Sequence, residues 1–86
     1  MNDNEETREK IRSILIECRT QRELTQTEVG KVVGKSKNAV ASWEQGLSLP
    51  DVVTLYRLAK YYGKSIDYMY GMESDNDSDI RSSVDI

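Results

Sequence analysis

At 86 residues, 37% of them hydrophobic, the chain has room for one small domain with a modest core. It holds no histidine and a single cysteine, Cys18, so the usual zinc sites, the Cys/His and Ser/His catalytic arrangements and an intramolecular disulfide framework cannot be built within one copy. The formal charge of -3 hides an asymmetry: residues 10–64 carry ten basic against five acidic side chains, residues 1–9 carry four acidic against Arg8, and residues 73–86 carry five acidic against Arg81. The carboxylates sit among lysines and arginines on helical faces and read as solvated surface, so neither an enzyme nor a cofactor is expected. No apolar run approaches the roughly 20 residues that cross a bilayer, and no leader points to secretion, so the expected setting is the cytosol, away from membranes.

Residues 5–22 contain neither Gly nor Pro, and Ile11, Ile14, Leu15 and Cys18 recur at i, i+3, i+4, i+7, which predicts a first helix. Thr25-Gln26-Thr27-Glu28 fits a capping box, in which hydroxyl and carboxylate satisfy each other's backbone N–H groups. The second helix then spans 26–33 with Val29, Val32 and Val33 inward, and Gly34 ends it. Ser36 caps a third helix from Lys37 to about Gln45, which Gly46 stops. Asp51 caps a fourth, with Val52, Leu55, Leu58, Ala59 and Tyr62 on one face and Gly63 at its end. Ser65 caps a short fifth helix over 66–70. Residues 73–86 have too little apolar content to offset the entropy of ordering them and are expected to form a disordered acidic tail behind a domain of residues 1–72.

Only Gly34, Lys35 and Ser36 separate the second and third helices, which makes a tight turn and a sharp crossing. Gly30 costs up to about 1 kcal/mol relative to Ala in a helix interior, a cost with a packing reason if a larger side chain would hold the two helices apart. With apolar Val40 and Trp43 on the next helix, these features spell a helix-turn-helix.

From about Ile11 to Gly71 the chain resembles the XRE family of helix-turn-helix proteins, that of the phage repressors and Cro. The matching residues are Arg19, then Thr25, Gln26, Glu28, Val29 and Gly30, then Gly34 and Ser36, then Val40, Ser42, Trp43, Glu44, Gly46, Pro50 and Asp51, then Leu58-Ala59 and Ser65-Ile66-Asp67. The resemblance implies an all-α, five-helix, lambda-repressor-like domain that binds double-stranded DNA as a homodimer on a near-palindromic site, with half-sites roughly 34 Å apart.

On a helical wheel Val40 and Trp43 face one side of the third helix, and Lys37, Asn38, Ala41, Ser42 and Gln45 the opposite arc. Helix N-terminal residues reach deepest into a major groove: Lys donates to guanine O6 and N7, and Asn pairs with adenine N6 and N7. Lys37 and Asn38 are therefore the leading base readers, with Ser42 able to hydrogen-bond a base edge and Ala41 able to touch a thymine methyl. A plain solvated surface is the bland alternative for this arc. The resemblance makes Gln26 a phosphate clamp at a helix N-terminus. Lys35, Ser36, Gln45 and Ser48 are further phosphate candidates, while Lys31 supplies charge or simply solubility. Arg19 and Glu44 occupy the positions of an ion pair that, in the family, links the first helix to the end of the third. Trp43 and Cys18 are expected in the core, not as a stacking platform or a redox sensor.

Four residues depart from the family pattern. Glu23 stands where a Gly or Asn usually takes a left-handed turn, Lys35 replaces an aliphatic residue, and Leu47 and Leu49 occupy a loop often rich in Lys and Arg. Tyr68, Tyr70 and Met72 are candidates for a dimer surface, whereas Tyr62 and Met69 read as core. A transcriptional repressor competes with an antitoxin that folds its tail over a toxin, and with a module that binds a protein partner or antagonist. The tail offers only Ile80, Val84 and Ile86 as apolar anchors, weak support for a toxin partner.

Overall fold

The computed structural model describes residues 3–72, with side chains from residue 5 onward. Among these the chain forms α1 (Asp3–Gln21), α2 (Gln26–Val33), α3 (Lys37–Gln45), α4 (Val52–Tyr62) and α5 (Ile66–Met69). The expected acidic tail falls on residues 73–86, outside the described residues. No described helix is long and apolar enough to cross a membrane.

Each predicted cap is made. The Thr25 hydroxyl accepts from the Glu28 N–H at 3.0 Å while the Thr25 N–H donates to Glu28 Oε1 at 2.8 Å. Ser36, Asp51 and Ser65 accept in the same way from the N–H groups of Ala39, Thr54 and Tyr68. A cap of this kind is worth about 1 kcal/mol, and helices this short are marginal without caps and packing.

The core joins Ile11, Leu15 and Cys18 of α1 to Val29 and Val33, Val40 and Trp43, Leu55, Leu58, Ala59 and Tyr62, and Met69 of α5. Trp43, Cys18, Tyr62 and Met69 are thus core residues, as their sequence context predicts. Burial pushes the Cys18 thiol pKa up, which keeps it protonated and unreactive. Two valines depart from expectation. Val32 is 42% exposed, because Val29, Gly30 and Val33 define the buried face of α2 and Val32 lies about 100° from Val33 on the wheel. Val52 is 66% exposed: the buried stripe of α4 runs through Thr54, Leu55, Leu58, Ala59 and Tyr62, leaving Val52 on the margin beside exposed Val53 and Tyr56. α5 ends one residue early, with Tyr70 as its cap, and α1 begins two residues earlier than the periodicity required.

Packing between α2 and α3 is the most extensive in the fold. Gly30 explains how the turn can be so short. The Gly30 carbonyl accepts from the N–H groups of Gly34 and Lys35, and a Cβ at Gly30 would lie 2.4 Å from the Lys35 carbonyl oxygen. The constraint is therefore backbone against backbone at the turn, rather than contact with the body of α3.

Arg22 ties the far end of the domain in a way the sequence does not announce. Its guanidinium donates to the Tyr62 carbonyl at 3.1 Å, at the C-terminus of α4, and lies 5.5 and 5.6 Å from the Tyr62 and Tyr61 ring centroids. The cation meets both the negative helix end and the ring faces. Burial raises the Tyr62 phenol pKa from 10.0 to about 12.

Gly30→Ala is expected to lower stability by about 2 kcal/mol, because the clash outweighs the gain in helix propensity. Gly34→Ala, at φ 72 with open space around the missing Cβ, should cost only about 1 kcal/mol; urea unfolding followed by Trp43 emission orders the two. The folded state holds the Tyr62 proton more tightly than the unfolded chain does. Its contribution is therefore intact below pH 10 and is lost as the pH rises toward about 12, and Tyr62→Phe should flatten that part of a stability–pH curve.

Candidate nucleic-acid interface

The polar arc of α3 begins at its N-terminus, where Lys37 and Asn38 are both exposed. Val40 and Trp43 turn inward at 1% and 5% exposure, so the two faces separate as the wheel predicts. Ala41 and Ser42 are half-buried, and the Ser42 hydroxyl shares a 2.7 Å hydrogen bond with that of Ser48. That bond fixes the loop after α3 against the helix and orients both hydroxyls. Lys35, Ser36 and Gln45 are exposed, and Lys35 Nζ stands 3.9 Å from Asp51 Oδ2. An exposed pair at that distance is too weak to withdraw Lys35 from an incoming anion.

Behind this surface, Glu44 is buried at the C-terminal end of α3. Arg19 meets its carboxylate with two nitrogens, Nε to Oε2 at 2.6 Å and Nη2 to Oε1 at 2.8 Å, a bidentate geometry only a guanidinium provides. The remaining Arg19 nitrogen, Nη1, donates to the Leu24 carbonyl at 2.8 Å, and the Glu44 hydrogen bond raises the Arg19 pKa further above its usual value. Gln26 Nε2 also donates to Glu44 Oε1, at 3.0 Å. The predicted ion pair is present, and the predicted phosphate clamp is attached to it. The sequence marks Gln26 and Glu44 separately, but nothing in their spacing indicates that they touch. Arg12, which sequence reasoning leaves unassigned, pairs with Glu9 and lies 3.5 Å from the Glu44 carbonyl oxygen, near the end of the same helix.

Of the proposed dimer residues, Tyr68 and Tyr70 are half-buried against the core and Met72 is 73% exposed.

A helix-turn-helix family matches residues 15–69, more than half of the chain. The chain belongs to this family, of the XRE type. It is 33% identical over 76 residues to the cryptic phage CTXphi transcriptional repressor RstR of Vibrio cholerae. That match covers 87% of this chain but 65% of the relative, so the chain spans about two thirds of the length of the curated protein it resembles. Among solved structures it resembles the P22 c2 repressor protein in complex with a synthetic operator, with a TM-score of 0.68 and 27% identity, covering 73% of this chain and 96% of that one. The five-helix, lambda-repressor-like fold implied by the sequence pattern is the fold of this family member.

Arg19→Ala should destabilise the domain by about 3 kcal/mol, since it leaves the Glu44 carboxylate buried without its cation. The double variant Arg19→Met/Glu44→Leu should lose less than Arg19→Ala alone, a result a double-mutant cycle in urea reads directly.

Proposed function

We propose that the chain is a sequence-specific DNA-binding regulator of transcription, a repressor, which inserts α3 into the major groove as a two-fold dimer on a near-palindromic operator. The observation that carries the reading is the division of α3: Lys37 and Asn38 are exposed on the first turn while Val40, Trp43 and Glu44 hold the other side to the domain. The two relatives support it, one named as a transcriptional repressor and the other crystallised on an operator.

In this reading Lys37 and Asn38 read base edges, Ser42 donates to or accepts from a base, and Ala41 meets a thymine methyl. Gln26, Lys35, Ser36, Gln45 and Ser48 hold phosphates. Gln26 has one N–H committed to Glu44 and keeps its second N–H for a phosphate oxygen, so Glu44 fixes the direction in which the clamp donates. The basic middle of the chain, with Lys31, Lys35 and Lys37 exposed around the helix-turn-helix, supplies the charge for a phosphate backbone. Met72, together with the outer edges of Tyr68 and Tyr70, forms the dimer surface.

Selection from random duplexes, followed by binding at several salt concentrations, tests the proposal. An enriched palindrome and a steep loss of affinity with salt are expected; no enriched sequence, or a flat salt response, overturns it. Lys37→Ala and Asn38→Ala should each cost about 1–3 kcal/mol and relax preference at individual base positions, whereas Gln26→Ala should weaken binding to all sequences alike.

A further inference from the structure

Two apolar grooves lie on the side of the domain built by α4, α5 and the first part of α1. One, of about 520 Å³, has Val52, Val53, Tyr56, Ala59 and Ile66 as its apolar lining and Lys60 and Lys64 at its rim. Val52, Val53 and Tyr56 are 66%, 57% and 53% exposed, a contiguous apolar surface that a domain this small does not leave open without cause. Lys60 Nζ sits 5.7 Å from the Tyr56 ring centroid and Lys64 Nζ 4.7 Å from that of Tyr68. Among the described residues neither lysine has a carboxylate partner within 4.0 Å. The groove therefore asks for an occupant that is apolar in the middle and negative at its edges.

We propose that residues 73–86 of the same chain are that occupant. The segment carries Glu73, Asp75, Asp77, Asp79 and Asp85 against Arg81, and its apolar residues are Ile80, Val84 and Ile86. Ile80 and Val84 are four apart, a spacing that would put them on one face of a helical turn, flanked by Asp79 and Asp85. An amphipathic turn laid into a groove needs this pattern, with apolar anchors downward and carboxylates toward the two lysines.

Position favours the same occupant. The Met72 N–H donates to the Asp67 carbonyl at 3.0 Å, and Asp67 follows groove-lining Ile66, so the chain leaves the described structure beside one end of the groove. The residues between Met72 and Ile80 span up to about 26 Å when extended, ample to lay Ile80 along α4. The second groove, of about 490 Å³ between α1 and α5, has Gly71 in its lining and so also lies beside the exit, but it carries Glu6 and Glu9 against Lys10. Arg12 already pairs with Glu9, which leaves Glu6 against Lys10 and a near-neutral rim, whereas the α4 groove offers Lys60 and Lys64 without carboxylate partners among the described residues; charge thus favours the α4 groove for an acidic segment.

Zero-length carbodiimide coupling of the full 86-residue chain, prepared as a mixture of isotopically light and heavy protein, reads the contact by mass spectrometry. Amide links from Lys60 or Lys64 to Asp77, Asp79 or Asp85 within one copy are expected, in higher yield than links from Lys31 or Lys37 to the same carboxylates. In Ile80→Ser/Val84→Ser those links should fall to the Lys31 level, with unchanged Trp43 emission showing that the domain is still folded. Equal yields on all lysines would reduce the attraction to diffuse electrostatics. Links formed only between light and heavy copies would make the groove a face between two molecules, and yields unaffected by the serine substitutions would remove the apolar anchors. Any of these three results overturns the proposal.

Discussion

The C-terminal end of α3 is anchored by one carboxylate, that of Glu44. A nine-residue helix forms only two and a half turns, too few to be stable alone or to hold a direction in space. Its N-terminus is set by the turn after α2, but its C-terminus needs a separate anchor, and Glu44 provides it. Through Arg19 the carboxylate reaches the last turn of α1, and through Gln26 it reaches the first residue of α2. Three helices therefore converge on one side chain. Burying such a pair is near neutral for stability, since desolvation offsets attraction, so its value lies in the geometry it imposes.

Arg19 also explains how the loop between α1 and α2 tolerates Glu23 in the left-handed region, at φ 58. A non-glycine residue there costs about 1–2 kcal/mol. The Arg19 carbonyl accepts from the N–H groups of both Arg22 and Leu24, the Thr20 carbonyl accepts from Glu23, and Arg19 Nη1 closes onto the Leu24 carbonyl. Backbone and side chain of one residue thus over-determine the loop, and the strain is held in place. The same loop carries Arg22 to the end of α4, so the opposite side of the domain is registered from the same few residues.

The parts of this arrangement legible in the sequence are those written in local chemistry. Thr25, Ser36, Asp51 and Ser65 announce helix starts because a hydroxyl or carboxylate three residues before an N–H has one good use. Periodicity finds Leu55, Leu58, Ala59 and Tyr62 but places Val52 and Val32 inside, because a wheel gives the direction of an apolar face and not how far the neighbouring helices extend over it. Gly30 is marked by its cost in a helix, yet only coordinates reveal that the Lys35 carbonyl is what excludes a Cβ. Arg19 and Glu44 could be paired through resemblance to a family. The contacts of Gln26 with Glu44, Arg22 with Tyr62 and Ser42 with Ser48 are long-range or loop contacts between common polar residues, and no spacing encodes them.

Charge is distributed in keeping with this division of labour. All the basic residues but Arg81 lie between Arg8 and Lys64, and Lys35 and Lys37 flank the N-terminus of α3, where the helix dipole already favours anions. In the proposed function, attraction of these lysines for a phosphate backbone is long-ranged and indifferent to sequence. In the proposed complex, discrimination falls to Lys37, Asn38, Ala41 and Ser42 on α3, so a change at Glu44 or Arg19, which anchor that helix, perturbs which sequence is read more than how strongly nucleic acid is attracted. On that reading Lys31 and Lys35 serve attraction alone, while Lys37 serves both attraction and base reading from a helix that the buried Glu44 carboxylate anchors.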